Sequence, residues 1–193
     1  ATPIGNLSDI TLRALDVLNG VNIVAAEDTR NTRHLLQHHG ISDAKLLAVH
    51  QHNERGSADK VISLLQEGQS VALVTDAGTP AVSDPGAVLV EAVREAGLRV
   101  IPIPGASAVV TALSASGLVN AHFMFYGFLP SKSAARRAAL QSLASQTCTL
   151  AFYEAPHRIL ECTEDLRAMF GDEREIVFAR ELTKLFESIH RCK

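Results

Sequence analysis

Along this chain, short apolar runs alternate with longer stretches whose apolar positions recur three or four residues apart, the rhythm of strand followed by helix. Runs over 21–26 (VNIVAA), 46–49, 71–74 and 98–103 predict strands. Between them, helices are predicted from a Ser8 or Asp9 cap to residue 18, and over 29–39, 58–66, 86–96 and 106–116. Gly40 ends the second helix, and Pro104-Gly105 breaks the chain before the last. After 117–122 the pattern restarts, with strands at 123–128, 148–153 and 175–179 and helices at 133–143 and 157–170. The expected class is α/β with a mostly parallel sheet, in two domains at 1–117 and 118–193. Three strands and two helices are an incomplete second domain, and Thr2-Pro3-Ile4-Gly5-Asn6 reads as the turn after a strand whose body is absent. The chain therefore reads as truncated at both ends.

The segment 71–86, VALVTDAGTPAVSDPG, carries the densest chemistry. Its first half is a buried strand, and its second half crowds Asp76, Gly78, Thr79, Pro80, Ser83, Asp84, Pro85 and Gly86 into a loop. Turn formation alone needs fewer of these residues. In open α/β sheets ligands bind beyond the carboxyl ends of strands, so the loop stands where a site is expected. Three further segments share that character. Thr2–Asn6 leads into a helix and offers backbone amides. IPGASA at 103–108 combines a glycine bend with the Ser107 hydroxyl and small side chains. FYEAPHR at 152–158 places two aromatics, an acid, an imidazole and a guanidinium directly after a strand.

Composition narrows the class. Hydrophobic residues make up 47%, ample for a core, yet no apolar run approaches the ~18 residues that suggest a membrane span. The three scattered cysteines, Cys148, Cys162 and Cys192, form no disulfide framework, which points to the reducing cytoplasm. Neither G-x-G-x-x-G nor a P-loop occurs, which weakens NAD and nucleoside-triphosphate readings. Net charge is −3, with 8 Lys/Arg against 12 Asp/Glu up to Gly117 and 10 against 9 beyond it. Any nucleic-acid surface is therefore a local patch, expected on the second half.

Taken in order, TPIGNLSDIT, EDTRNTRHLLQHHGI, VALVTDAGTPAVSDPG, IPIPGASAVVTALSASGL, FYGFLPSK, FYEAPHRI and ELTKLFE resemble the ribosomal RNA small subunit methyltransferase I group, a branch of the tetrapyrrole methylase superfamily. The resemblance runs from Thr2 to Glu187. It implies two α/β domains of tetrapyrrole methylase type with S-adenosylmethionine in the cleft between them, usually in a homodimer. It further implies transfer of the sulfonium methyl to the ribose 2′-oxygen of a cytidine in small-subunit ribosomal RNA. Carried over by motif, the cofactor contacts are Pro3 and Gly5 in the first loop, Gly78, Thr79, Val82 and Ser83 in the second, Ser107 and Ala108 in the third, and Phe152 and Tyr153 in the second domain. Thr79 stands where relatives have the Asp of a Gly-Asp-Pro loop, so a hydroxyl replaces a carboxylate there.

A ribose hydroxyl is a poor nucleophile at neutral pH and gains ~10²–10⁴-fold from a general base. Asp28, Glu154, Glu181 and Lys184 are the candidates, the lysine only if burial lowers its pKa. Arg30, Arg33, Lys132, Arg136, Arg137 and Arg158 are candidates for phosphate contacts. His50-Gln51-His52-Asn53-Glu54 lacks a third ligand at fixed spacing and reads as a polar loop, and no metal is expected. Two other functions share these features: methylation of a tetrapyrrole or protein side chain by the same fold, and a non-catalytic RNA-binding assembly factor.

Overall fold

The computed structural model describes residues 1–49 and 54–193, and His50 to Asn53 of the polar loop lie outside them. The chain forms two compact units, Ala1–Ala108 and Val109–Lys193. The division falls between Ala108 and Val109, inside the helix expected over 106–116, whereas the sequence reading placed the junction at 117–122.

The first unit is built on three parallel strands, β1 (Ile23–Ala26), β2 (Lys45–Ala48) and β3 (Val71–Val74), in the order β2-β1-β3. β1 pairs in register with both neighbours, Ala26 standing opposite Ala48 on one side and Val74 on the other. Because successive side chains of a strand face opposite ways, β1 feeds two cores. Val24 and Ala26 join Leu18 of α1 (Leu12–Gly20) and Leu36 of α2 (Thr29–His38) on one face. Ala25 meets Val61 of α3 (Glu54–Gln66) and Leu89 of α4 (Ala87–Glu95) on the other. This double burial explains the unbroken apolar run, which an antiparallel strand with one wet face would not need.

The helix ends follow local chemistry. The Thr11 hydroxyl accepts from the Ala14 amide and starts α1, while Asn6, through the Ser8 amide, caps a separate 3-10 turn at Leu7–Asp9. That displaces the Ser8 or Asp9 start expected for α1. α2 is capped by Asp28 and closes at Gly40, whose φ of 74° lets the Ile41 amide return to Leu36 O. The expected strand over 98–103 does not form. Pro102 and Pro104 supply no N–H for a ladder, although Leu98 and Val100 still pack on the α3/α4 core.

In the second unit, α5 (Ala108–Ala115) precedes β4 (Phe123–Phe128) and β5 (Thr149–Tyr153), which pair in parallel. A register shift between Phe125 and Gly127, with Gly127 at φ 85°, marks a bulge. β6 (Ile176–Arg180) pairs antiparallel with β7 (Ser188–Cys192), a strand that the sequence patterning missed. Its SIHRC run is short, with a single aliphatic residue and three of its five positions exposed, so it lacks an apolar signature.

α6 (Ser133–Leu143) and α7 (Ile159–Phe170) are joined through Asp165. Its oxygens accept from Arg136 Nε at 2.7 Å, Arg137 Nε at 2.5 Å and Ser133 Oγ at 3.0 Å. The Arg136 and Asp165 side chains are 1% and 3% exposed, a buried charge pair whose members each need the other. Burial alone raises a carboxyl pKa, but hydrogen bonds from Arg137, Arg136 and Ser133 outweigh it and hold Asp165 below its ordinary value. Asp165→Ala is expected to cost about 3–5 kcal/mol in denaturant unfolding, because Arg136 is left charged and unpaired. A loss below about 1 kcal/mol, the range of a surface pair, would contradict this role.

Candidate functional site

Three of the loops singled out by sequence meet beyond the carboxyl ends of β1 and β3. Thr2 and Gly78 exchange both backbone hydrogen bonds, at 2.8 and 3.0 Å, in an isolated antiparallel bridge. Thr2, 2% exposed, also donates its hydroxyl to Thr75 O at 3.0 Å. Gly78 has φ 81°, and a Cβ there would sit 3.5 Å from the Ile4 side chain and 3.8 Å from Ala106 O. The Thr79 hydroxyl donates to Ala106 O at 3.1 Å, tying this loop to the PGASA bend. A Cβ on Gly105 would approach the Ala1 side chain to 2.9 Å, so the bend also lies tight against the first loop.

Pro3, Gly5, Gly78, Thr79, Val82, Ser83 and Ser107 therefore belong to one set of joined loops in the first unit, and Ala108 opens α5 at its end. Ala81 at φ 67° and Ser83 at φ 63° occupy the left-handed region without being glycine. Such conformations cost about 1–3 kcal/mol each and cluster at ligand loops. Gly86, at φ 127°, begins α4 where a Cβ would stand 2.8 Å from Leu73 Cδ2. Any side chain there would be strained by that φ and would have to displace the end of the Leu73 side chain.

Acidic groups collect at the same edge. Glu27 accepts from the Asp76 amide at 3.2 Å, and Asp76 accepts from the Asp28 amide at 3.2 Å and from Asn31 Nδ2 at 2.8 Å. Burial, reinforced by the charges of Glu27 and Asp76, pushes Asp84 up to about 6. Asp28 moves the opposite way: the Arg30 side chain and amide hold it at about 2. An Asp so stabilised as the anion is a helix cap and a weak base.

Further candidates lie in the second unit. Phe152 and Tyr153 end β5 in the second unit, where Tyr153 packs edge-on against Phe125 and Phe128 at 4.7 and 5.6 Å. The Glu154 side chain is 6% exposed, accepts from the Ala155 amide at 2.8 Å and lies 3.1 Å from Arg158 Nε. That pair is close without an aligned hydrogen bond, since Arg158 Nε has no hydrogen-bond partner. The Arg158 guanidinium donates to Leu129 O at 2.8 Å and braces that turn. Lys184 is 45% exposed and pairs with Glu181 at 3.3 Å, so the burial that would make it a base is missing.

Of the cations proposed for RNA, Arg136 is buried on Asp165 and donates to Ser131 O, which leaves it no face for phosphate. Arg137 shares Asp165 but is 54% exposed. Lys132 and Arg33 are exposed, and Arg30 is exposed while chelating Asp28. Among the described residues, no group of three or more His, Cys, Asp or Glu is placed to hold a metal ion. Nor is any helix among them long and apolar enough to cross a membrane. Sequence reasoning named Asp76 only as part of the loop after β3 and missed its companions Asn31 and His34; the three line a cleft with the first loop. The EDTRNTRH block contained two of them, at the i, i+3 spacing that puts residues on one helix face.

The family model of tetrapyrrole (corrin/porphyrin) methylases matches residues 1–193. A ribosomal RNA small subunit methyltransferase I of Escherichia coli O157:H7 is 56% identical over 98% of this chain and 66% of its own length. The Synechocystis protein of the same name is 50% identical over 99% of this chain and 68% of its own length. The chain thus spans about two thirds of the length of the curated relatives it matches. Among solved structures, the methyltransferase CobJ superposes with a TM-score of 0.71 at 22% identity, covering 97% of this chain and 82% of that one. Uroporphyrin-III-C-methyltransferase from Thermus thermophilus gives 0.67 at 23%, covering 98% and 81%. At these identities the two likenesses establish the fold.

The raised Asp84 pKa carries a pH signature. The folded state keeps this proton up to about pH 6, whereas an ordinary Asp releases it near 3.8. Its contribution to stability is complete below the unfolded pKa and is lost as pH rises through 6. Wild type should therefore lose about 1 kcal/mol between pH 4 and 6.5, a figure discounted for the solvent reaching this group. Asp84→Asn should lack that loss, as read from urea midpoints at the two pH values. An equal slope in both proteins would refute the assignment.

Proposed function

The chain belongs to the tetrapyrrole (corrin/porphyrin) methylase family and, within it, to the ribosomal RNA small subunit methyltransferase I group, and from that premise we propose that it methylates the ribose 2′-oxygen of a cytidine in small-subunit ribosomal RNA. S-adenosylmethionine is the proposed methyl donor, and the cytoplasm and a homodimer are the proposed setting. The observation that carries this reading is the joining of the Thr2–Asn6, Gly78–Ser83 and Ala106 loops at one strand edge, in a chain half identical to those relatives.

The cofactor supplies an activated methyl on a sulfonium, so the protein's part is alignment, exclusion of water and removal of one proton. The loops fit that task. Gly78 lets the second loop close on the first with no side chain between them, and Thr79, whose proton goes to Ala106 O, still has lone pairs to offer a ligand. Its main work is to hold two loops at fixed spacing. Bound at these loops, the cofactor would supply that methyl to the ribose 2′-oxygen, and a side chain of this protein would have to take up the hydroxyl proton. Of the acids at this edge, Asp84 has the pKa that suits a base at neutral pH, being ionised yet more basic than an ordinary carboxylate. Exposed Arg33, Lys132 and Arg137 remain the cations proposed for phosphate contact.

Labelled methyl transfer from S-adenosylmethionine to undermethylated small subunits, with free ribosomal RNA and a precorrin as controls, tests the reading. Incorporation into subunits, mapped to one ribose, supports it, and incorporation only into the precorrin would overturn it. Thr79→Ala should weaken S-adenosylmethionine binding roughly 5–10-fold by calorimetry, the value of one hydrogen bond that orders a loop. Unaltered affinity would mean that the loop backbone holds the cofactor without this tie.

A further inference from the structure

A cleft of about 220 Å³ opens in the first unit between the Pro3–Leu7 turn, the first turns of α2 and the segment after β3. Pro3, Ile4 and Leu35 give its lining apolar surface, and Asn31, His34 and Asp76 give it polar groups. Its volume lies below the ~300–1,000 Å³ usual for small-molecule sites, so it is small for a cofactor that joins a nucleoside to an amino acid. One nucleobase is a better match.

Resting on the ribosomal RNA reading above, we infer that this cleft receives the base of the nucleotide to be methylated, unstacked from its neighbours and held by its hydrogen-bonding edge. Asn31 Nδ2 donates to Asp76 Oδ2 at 2.8 Å, and Asp76 Oδ1 accepts from the Asp28 amide at 3.2 Å. These bonds fix both side chains without exhausting them, because the amide keeps a second N–H and each carboxylate oxygen a second lone pair. The pair thus offers a donor beside an acceptor, and both residues are exposed. Cytosine carries the complement, a ring nitrogen acceptor beside an amino donor, and carboxylates accept from that amine in nucleic-acid recognition. Pro3 and Ile4 provide apolar surface for the ring face, as sites for extruded bases do. Thr75 in the wall of the cleft is 2% exposed, and its Oγ1 has no partner, a sign of unfilled hydrogen-bonding capacity at this spot.

The test is methyl transfer to undermethylated small subunits carrying either cytidine or uridine at the mapped position, with cofactor affinity measured separately by calorimetry. Asn31→Ala should lower kcat/KM on the cytidine subunits roughly 10–100-fold, the range of a lost bidentate edge contact. S-adenosylmethionine affinity should stay within about twofold, and the preference for cytidine over uridine should shrink by about tenfold, the discrimination such a pair supplies. His34→Trp, at an exposed position that lines the cleft, adds bulk where the base would enter and should give the same split if Asn31→Ala fails to fold. A parallel loss of cofactor affinity would assign the cleft to the cofactor, and unchanged rate and preference would show that no base enters it. Either result overturns the inference and leaves the functional reading standing. Wild-type protein that transfers no methyl to subunits would overturn that reading itself.

Discussion

The organisation of the first unit turns on one backbone exchange, the pair of hydrogen bonds between Thr2 and Gly78. It binds the first loop to the loop after β3, and it requires a residue at 78 that tolerates φ 81° beside the Ile4 side chain. Thr2 then adds its hydroxyl to Thr75 O, and Thr79 extends the chain of contacts to Ala106. Three segments far apart in sequence become one rigid rim. Backbone groups so paired are ordered before a ligand arrives, which lowers the entropy lost on binding.

Beyond that rim the chain stores strain and charge together. Ala81 and Ser83 take left-handed conformations, and Asp84 follows them into a setting that disfavours its ionised form. The carboxylates Glu27 and Asp76 are held by neighbouring amides, and Asp28 is neutralised by Arg30. Neighbouring acids thus acquire different basicities from different surroundings, the arrangement by which sites separate structural from reactive carboxylates. Stability alone gives no reason to keep a half-buried acid beside two others.

The second unit treats charge differently. Asp165 collects Arg136, Arg137 and Ser133 at the junction of α6 and α7, and Glu154 with Arg158 secures the turn at Leu129. Residues that look in sequence like a basic patch are therefore partly internal fastenings. Removing either partner of such a pair is costly, whereas a solvated lysine such as Lys132 is free to meet a partner at little cost. Net charge along the sequence cannot separate these roles.

Much of this was legible in the sequence for physical reasons that can be named. β1 and β3 were readable because strands buried on both faces need unbroken apolar runs, and α2 because Asp28 and Gly40 mark its ends locally. The loops proposed to hold the cofactor stood out because glycine, proline and small polar residues are denser there than turns require. The absence of a strand over 98–103 and the presence of β7 were not, because pairing depends on a neighbour's register and free N–H groups rather than on the segment's own apolarity. Nor could sequence divide Arg136 from Arg137, adjacent residues that the helix turns inward and outward. Local chemistry determined most of the elements and which loops are dense in turn-forming and polar residues. Tertiary packing alone decided which charges face solvent, which acids are basic, and that Asn31 meets Asp76 across 45 residues, because burial and long-range contact belong to no single segment.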